Sequence, residues 1–450
     1  VAELRSANPD VVITTDEEGG DVTRLDVRDG SPYPGAATLG AADDVAATRA
    51  VYRLIGRRLA AAGVDVDLAP VADVNTDPRN PVIGVRSFGA SPDLAARHAA
   101  AAVAGLADVG VAACLKHFPG HGATNVDSHE GLPTIDVDLD TWRTRELVPF
   151  AAGVDAGAAA VMSAHLRMPA LDPTDPATSS SAILERLRAD TGFTGAIISD
   201  ALDMAGIHVT QGVRHQVSQS APRFGTIGAE LIATAAVRSL TAGIDLLCLG
   251  SMQGADVPAA VTAALVAAVE SGVVSEQRLA DAAGRVAGLQ RRGAAVADTF
   301  DIASDEQLGR DAARAALRID GEITPRDGAV VVECSAVLSA ANHLDTPFAT
   351  IYAAADPTST HSVATSDTTV DDLRQIVGDR RLVLVVRGAA TQPWQADLAA
   401  AVSTAFADVV VVDLGWPSPD RPWSAPTIST HGASVANSAA ATGVLVPGDS

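Results

Sequence analysis

The sequence predicts an α/β protein: a (β/α)8-type TIM barrel, shortened at its N-terminus, followed by a smaller α/β domain. Three observations predict it. Short β-branched runs alternate with Ala-rich amphipathic segments from residue 11 to residue 292. The runs are apolar almost throughout, as strands of a parallel sheet covered on both faces must be. Five of six runs lead into polar side chains (Asp16; Asp73 and Asn75; Lys116 and His117; His165; Asp200), the polarity that gathers on the C-terminal face of a barrel. No glycine fingerprint marks the first strand–helix turn, which argues against an open doubly wound sheet.

Taken in order, residues 1–8 read as the end of a helix already under way, so a truncated N-terminus and a lost βα unit are expected. Strands are expected at 11–15, 64–68, 111–115, 159–163, 195–199 and 244–249, with helices at 44–62, 92–108, 140–156, 180–190 and 228–242. Helices over 258–270 and 276–292 close a barrel domain spanning 1–295. A linker, 296–320, contains the helix-like stretch 307–317. Beyond it, strands at 329–334, 382–387 and 409–414 and a helix at 393–406 make an α/β domain over 321–450, whose Ser/Thr-rich stretch 357–369 reads as a long loop.

Composition narrows the function classes. Of 450 residues 47% are apolar, enough for a large core, and aromatics are only 3%, so packing rests on Ala, Val, Leu and Ile. The net charge of −23 opposes any broad grip on nucleic acid or anionic lipid. Cys114, Cys248 and Cys334 lie far apart with no CxxC spacing, which suits neither a disulfide framework nor a thiolate zinc site; Cys114 and Cys248 read as core. The longest near-apolar stretch, 257–269, is shorter than the ~20 residues of a membrane span. No signal segment opens the chain, and cytoplasm is the expected compartment.

Chemistry concentrates in four segments. Residues 116–129 hold three of the ten histidines, and Pro119, Gly120 and Gly122 forbid a helix, so a mobile loop over the catalytic face is expected. Within it Asp127 can accept from one nitrogen of His129, fixing the tautomer and leaving the other nitrogen for proton transfer. Residues 192–204 deliver Asp200 at the end of an apolar strand. It is either a rigidly held nucleophile or a cap for the next helix, and Asp203 is expected to face that helix start. Residues 15–24 and 80–89 supply carboxylates and arginines, suited to a polyhydroxylated ligand or to surface ion pairs.

The chain resembles glycoside hydrolase family 3, and within it the bacterial β-N-acetylglucosaminidase branch. The resemblance rests on 16–20 (DEEGG), 67–75 with 80–89 (DLAPVADVN and NPVIGVRSFG), 116–122 (KHFPGHG), 127–129 (DSH), 162–165 (MSAH) and 198–204 (ISDALDM), and covers about residues 8–295. It implies a retaining double displacement, without metal or organic cofactor, on β-linked N-acetylglucosamine of peptidoglycan fragments or chitin oligosaccharides. Asp200 matches the nucleophile, His129 the acid/base and Asp127 its partner. Asp16, Arg24, Arg86, Lys116 and His117 match the residues that hold the sugar. Two positions depart from the family pattern: Ala123 stands where an Asp is usual, and Asp21 where Arg is frequent. Altered loop packing or subsite affinity is the expected result. Residues 214–223 read as an insertion that shapes the aglycone side.

Three other readings are open. A neutral histidine repels phosphate less than a carboxylate does, so the same residues could serve a phosphorylase. His117, His121, Asp127 and His129 could ligate zinc in a metal-dependent hydrolase, although the Pro-Gly break defeats the usual helical spacing. A non-catalytic sugar-binding protein would normally have lost the nucleophile or the acid/base, and both are present here.

Overall fold

Where β-branched and small apolar residues alternate between two covered faces, the chain forms strands. The computed structural model describes residues 1–126, 131–208, 227–250, 253–290, 302–335, 346–417 and 421–448. Five parallel strands lie in sequential order: β1 (Thr14–Thr15), β2 (Val66–Asp67), β3 (Ala112–Phe118), β4 (Ala160–Ser163) and β5 (Ala196–Ser199). The sixth apolar run joins β5 through a parallel bridge, Ile198 to Leu246. Sequential parallel order with a helix after each strand is how a strand–helix coil winds into a barrel.

Alternation along each strand fills the interior. Cys114, Ala160, Met162, Ala196 and Ile198 point to one side and pack with Val66 and Leu289. Their neighbours face the covering helices Pro92–Ala107, Leu147–Asp155 and Ser181–Thr191. Cys114 is buried as expected; Cys248 is only half-buried, since its run ends in a loop rather than a full strand.

Asp245, at the N-terminal end of the sixth run, gathers three arginines. Its oxygens lie 2.9 Å from Arg188, 2.6 Å from Arg278 and 3.0 Å from Arg285, and one also accepts from Ile197 N–H at 3.0 Å. Removing this carboxylate leaves three cations facing one another. We expect Asp245→Ala to cost about 3 kcal/mol, the usual effect of breaking a buried ionic cluster. Asp245 sits at the strand end opposite Asp200, so thermal unfolding should register the loss while turnover per folded molecule is unchanged.

The chain divides into two compact units: Val1–Thr15, Tyr52–Val82 and Ala90–Ala297 form the first, and Asp16–Val51, Ile83–Gly89 and Asp298–Ser450 the second. The second holds a six-stranded sheet from β6 (Arg318–Asp320), β7 (Val330–Cys334), β8 (Thr360–Ala364), β9 (Leu382–Val386), β10 (Val409–Asp413) and β11 (Thr427–Ser429), in the order β6-β11-β10-β9-β7-β8. Only β6 runs antiparallel. One face packs Val330, Val332, Leu384 and Val411 with Leu373 and Leu398; the other packs Val331, Val383, Val385 and Val412 with Phe348 and Tyr352.

Two sequence expectations change here. The stretch 357–369 is not a continuous loop, because it contains β8, an edge strand whose polar residues face outward and so mask its β character. Within the expected linker, Ile302–Ala316 is helical and β6 is a sheet edge. Among the described residues no helix is long and apolar enough to cross a membrane.

Candidate functional site

Strand ends of the first unit position the candidate residues. β3 continues to Phe118, so Lys116 and His117 belong to the strand rather than following it. Ala72 N–H donates to Lys116 O at 2.6 Å and Val71 bridges Lys116, which extends the pairing. Lys116 is 1% exposed despite its charge. A buried ammonium is tolerated only among compensating polar groups, and two other polar residues, Asp67 and Asp73, are fully buried in the same unit.

Asp73 organises the histidines. His117 Nδ1 lies 2.8 Å from Asp73 Oδ2, and His117 N–H lies 3.2 Å from both carboxylate oxygens. His121 N–H donates to Asp73 Oδ1 at 2.6 Å. An ionised carboxylate only accepts, so the His117 proton sits on Nδ1. Burial pushes the Asp73 carboxyl up, but His117 and His121 outweigh it and hold the group below the usual range. For His121 burial dominates and holds the imidazole low, against the opposing charges of Asp73 and Asp200. Asp200 therefore lies within electrostatic reach of His121.

The segment after β3, expected to be mobile, is buried and tied down over Pro119–Gly122. Trp142 Nε1–H donates to Pro119 O at 3.1 Å, and Asn80 Nδ2–H donates to His121 O at 2.8 Å. Gly120 has φ of +121°, and a Cβ there would lie 2.7 Å from Glu146 Oε2, so only glycine fits. Glu146 is wholly buried on the π-helical turn Trp142–Glu146. Burial pushes its carboxyl up to about 7, against the pull of Arg145. Asp127 and His129 lie outside the described residues, as does the expected insertion 214–223.

Asp200 follows β5 directly. Its N–H donates to Ser163 O at 3.1 Å, and its Oδ1 accepts from Ala201 N–H at 2.8 Å. His165 supports this corner: Nε2 donates to Ala201 O at 2.9 Å, and Nδ1 lies 2.9 Å from Thr178 Oγ1. Asp203 does not face the start of the next helix. Its carboxylate packs on the turn at Gly250 and accepts from Gln253 Nε2 at 2.9 Å, because that turn leaves room only for a glycine.

The remaining candidates, Asp16, Arg24 and Arg86, belong to the second unit. Asp16 immediately follows β1. Glu17 folds the turn beyond it by accepting from Thr23 Oγ1, Arg24 N–H and Leu25 N–H at 2.8–3.0 Å. Arg86 is gripped bidentately by Glu18, Nε to Oε2 at 2.9 Å and Nη2 to Oε1 at 2.8 Å, with both side chains buried. Asp21 has its own cationic partner: Arg387 Nη2 lies 2.9 Å away, and Ala433 N–H donates to the other oxygen at 2.7 Å. The sequence departure at position 21 thus coincides with specific packing inside the second unit.

Lys116, His117 and Asp200 thus all belong to the first unit, where Asp73 joins His117 to His121 and the Asp200 charge reaches His121, and Arg86 is oriented in the second. Sequence reasoning assigned no role to Asp73 or Glu18, the two acids that orient His117 and Arg86. Their signal was a carboxylate just beyond a strand within an otherwise apolar motif. Among the described residues no three His, Cys, Asp or Glu side chains gather as a metal-ligand set.

The profile of the glycosyl hydrolase family 3 N-terminal domain matches residues 2–289. The chain belongs to this family, whose N-terminal domain is a TIM-barrel-like α/β fold. It is 33% identical over 351 residues to β-hexosaminidase A of Pseudoalteromonas piscicida, covering 71% of this chain and 55% of that protein. It is 36% identical over 242 residues to β-hexosaminidase LpqI of Mycobacterium tuberculosis, covering 53% of this chain and 61% of that one. The chain thus spans less than two thirds of the length of these relatives. A family 3 β-N-acetylglucosaminidase structure from Paenibacillus sp. superposes with a TM-score of 0.84 at 31% identity, covering 99% of this chain and 86% of that chain.

Proposed function

We propose that this protein is a retaining β-N-acetylglucosaminidase that releases terminal β-linked N-acetylglucosamine from peptidoglycan fragments or chitin oligosaccharides. The observation that carries the reading is the Asp200 carboxylate, fixed directly after a parallel strand by Ala201 N–H and close enough to His121 for its charge to act on that ring. The names of the relatives, β-hexosaminidase and β-N-acetylglucosaminidase, point the same way. The five-stranded parallel sheet is read as part of a (β/α)8-type barrel.

In the first step an Asp200 oxygen attacks the anomeric carbon, the bond to the leaving oxygen breaks, and that oxygen takes a proton from His129, which Asp127 orients. In the second step water attacks the same carbon, gives its proton to His129, and Asp200 leaves as a carboxylate. Two inversions retain the β configuration. Lys116, His117, Asp16, Arg24 and Arg86 supply donors and acceptors to the sugar. Histidine, with an ordinary pKa of ~6.5, serves as both acid and base near neutrality without a large shift.

The test is hydrolysis of 4-nitrophenyl β-N-acetylglucosaminide in phosphate-free buffer. Free N-acetylglucosamine of β configuration is the expected first product. Turnover that requires phosphate and yields N-acetylglucosamine 1-phosphate would make the enzyme a phosphorylase, and no turnover in either buffer would end the proposal.

A further inference from the structure

In the first unit, the π-helical turn Trp142–Glu146 joins the short helix Leu139–Thr141 to the helix Leu147–Asp155. Single π turns inside helices recur at working sites. This one presents Trp142 and Glu146 to the same neighbour, the segment after β3. Trp142 Nε1–H donates to Pro119 O at 3.1 Å, and its ring stands edge-on to Phe118 with centroids 6.3 Å apart. Glu146 occupies the space a side chain at position 120 would need: a Cβ there would lie 2.7 Å from Oε2, 2.9 Å from Cβ and 3.1 Å from Cγ of Glu146. Gly120 N–H in turn donates to His117 O at 2.9 Å, and His121 N–H to Asp73 at 2.6 Å. Glu146 therefore backs the residue on which the turn from His117 closes.

The two oxygens of this carboxyl are unequally served. Oε1 accepts from Arg145 Nε at 2.7 Å, while Oε2 is buried with no hydrogen-bond partner among the described residues. A full charge on such a group lacks a donor, so burial favours the neutral acid. Arg145 favours the ionised form and Asp73 opposes it. On the same turn Arg143 pairs at the surface with Asp140 of the preceding helix, 3.8 Å away. The helix Pro92–Ala107, which packs on the turn, carries the buried His98; the segment after β3 brings His121; and the helix Leu147–Asp155 has no charged residue before Asp155. Burial outweighs Arg145, and the group changes charge at about pH 7. Once ionised, Oε2 gains water or a donor only by moving away from Gly120.

We propose that Glu146 is a positioning residue whose neutral side chain braces the turn 117–121 and so holds His117 in place for the sugar. The proposal rests on the sugar-hydrolase reading for its effect on turnover. Glu146→Gln tests it, since the amide keeps the size of the acid and an acceptor for Arg145 but cannot ionise. Above neutrality the parent should lose activity through two groups, His129 and Glu146, and the variant through one. Log kcat/KM for the nitrophenyl substrate should then fall with a slope of about −2 in the parent and about −1 in Glu146→Gln. The two proteins should be about equally active at pH 5.5, and the variant about tenfold more active at pH 8, where about a tenth of Glu146 keeps its proton. Arg145→Met removes the charge that favours ionisation and should move the same step to higher pH. Tryptophan fluorescence reads the brace without substrate: a step at about pH 7 is expected in the parent and absent from both Glu146→Gln and Trp142→Phe. An alkaline limb identical in parent and Glu146→Gln, or a fluorescence step that persists in that variant, overturns the proposal. Should Glu146→Gln fail to fold, an unmoved limb in Arg145→Met overturns it instead. A parent protein that turns over no N-acetylglucosaminide ends the functional reading, and the fluorescence step then decides the brace alone.

Discussion

Asp200→Ala is expected to lower kcat by about four orders of magnitude or more, with little change in Tm. The side chain is half-buried and accepts from Ala201 N–H, and its removal leaves the backbone link to Ser163 intact. What disappears is the nucleophile. Azide should then restore part of the turnover by entering from the vacated side, giving the α-configured glycosyl azide through one inversion. Labelling the parent protein with a fluorinated N-acetylglucosaminyl inactivator should place the sugar on Asp200. Turnover within tenfold of the parent, or a label on another carboxylate, would remove Asp200 from the mechanism.

Asp73→Asn is expected to reduce both stability and turnover. The amide keeps one acceptor oxygen where three N–H groups now converge, and it turns its own NH2 toward one of them. A loss of about 3 kcal/mol is expected for such a break in a buried charged network. The loop carrying His121 would shift, and a displacement near 1 Å costs about 10²-fold in rate. The pH dependence has a definite sign. The folded-state pKa of Asp73 lies below its unfolded value, so its contribution is present above about pH 4 and is lost as pH falls through the folded pKa. The difference in unfolding free energy between parent and variant should therefore be constant near neutrality and shrink in acid. Urea melts from pH 3 to pH 7 check this, and a gap that widened toward acid would contradict it.

Much of this arrangement was legible beforehand, for a physical reason. Buried parallel strands must be apolar, so the polar residue at or near each strand end stands out, and Asp200, Lys116 and His117 are candidates on that ground. Helix limits followed from caps and breakers: Ser91 before Pro92, Ser180 before Ser181 and Gly192 after Thr191 bound two helices within a residue or two of expectation. What escaped was pairing across distance. Nothing local in Asp73 marks it as the acceptor for a histidine 44 positions away, nor Glu18 as the clamp on Arg86, 68 positions away. Edge strands escaped too, because β8 exposes Thr360 and His361 and has the polarity of a loop.

The pairing of Asp21 with Ala433, separated by 412 positions, sets the order of events during synthesis. Residues 16–51 emerge from the ribosome early, yet Arg387, Ala433 and Asn437, which bond Asp21 and Thr38, arrive at the very end. At ~5–20 residues per second the early segment waits tens of seconds for them. The strands of the first unit, by contrast, pair with near neighbours in the sequence and can assemble meanwhile. A nascent chain stalled before residue 430 should therefore carry a folded parallel sheet and an N-terminal segment still exposed to proteases.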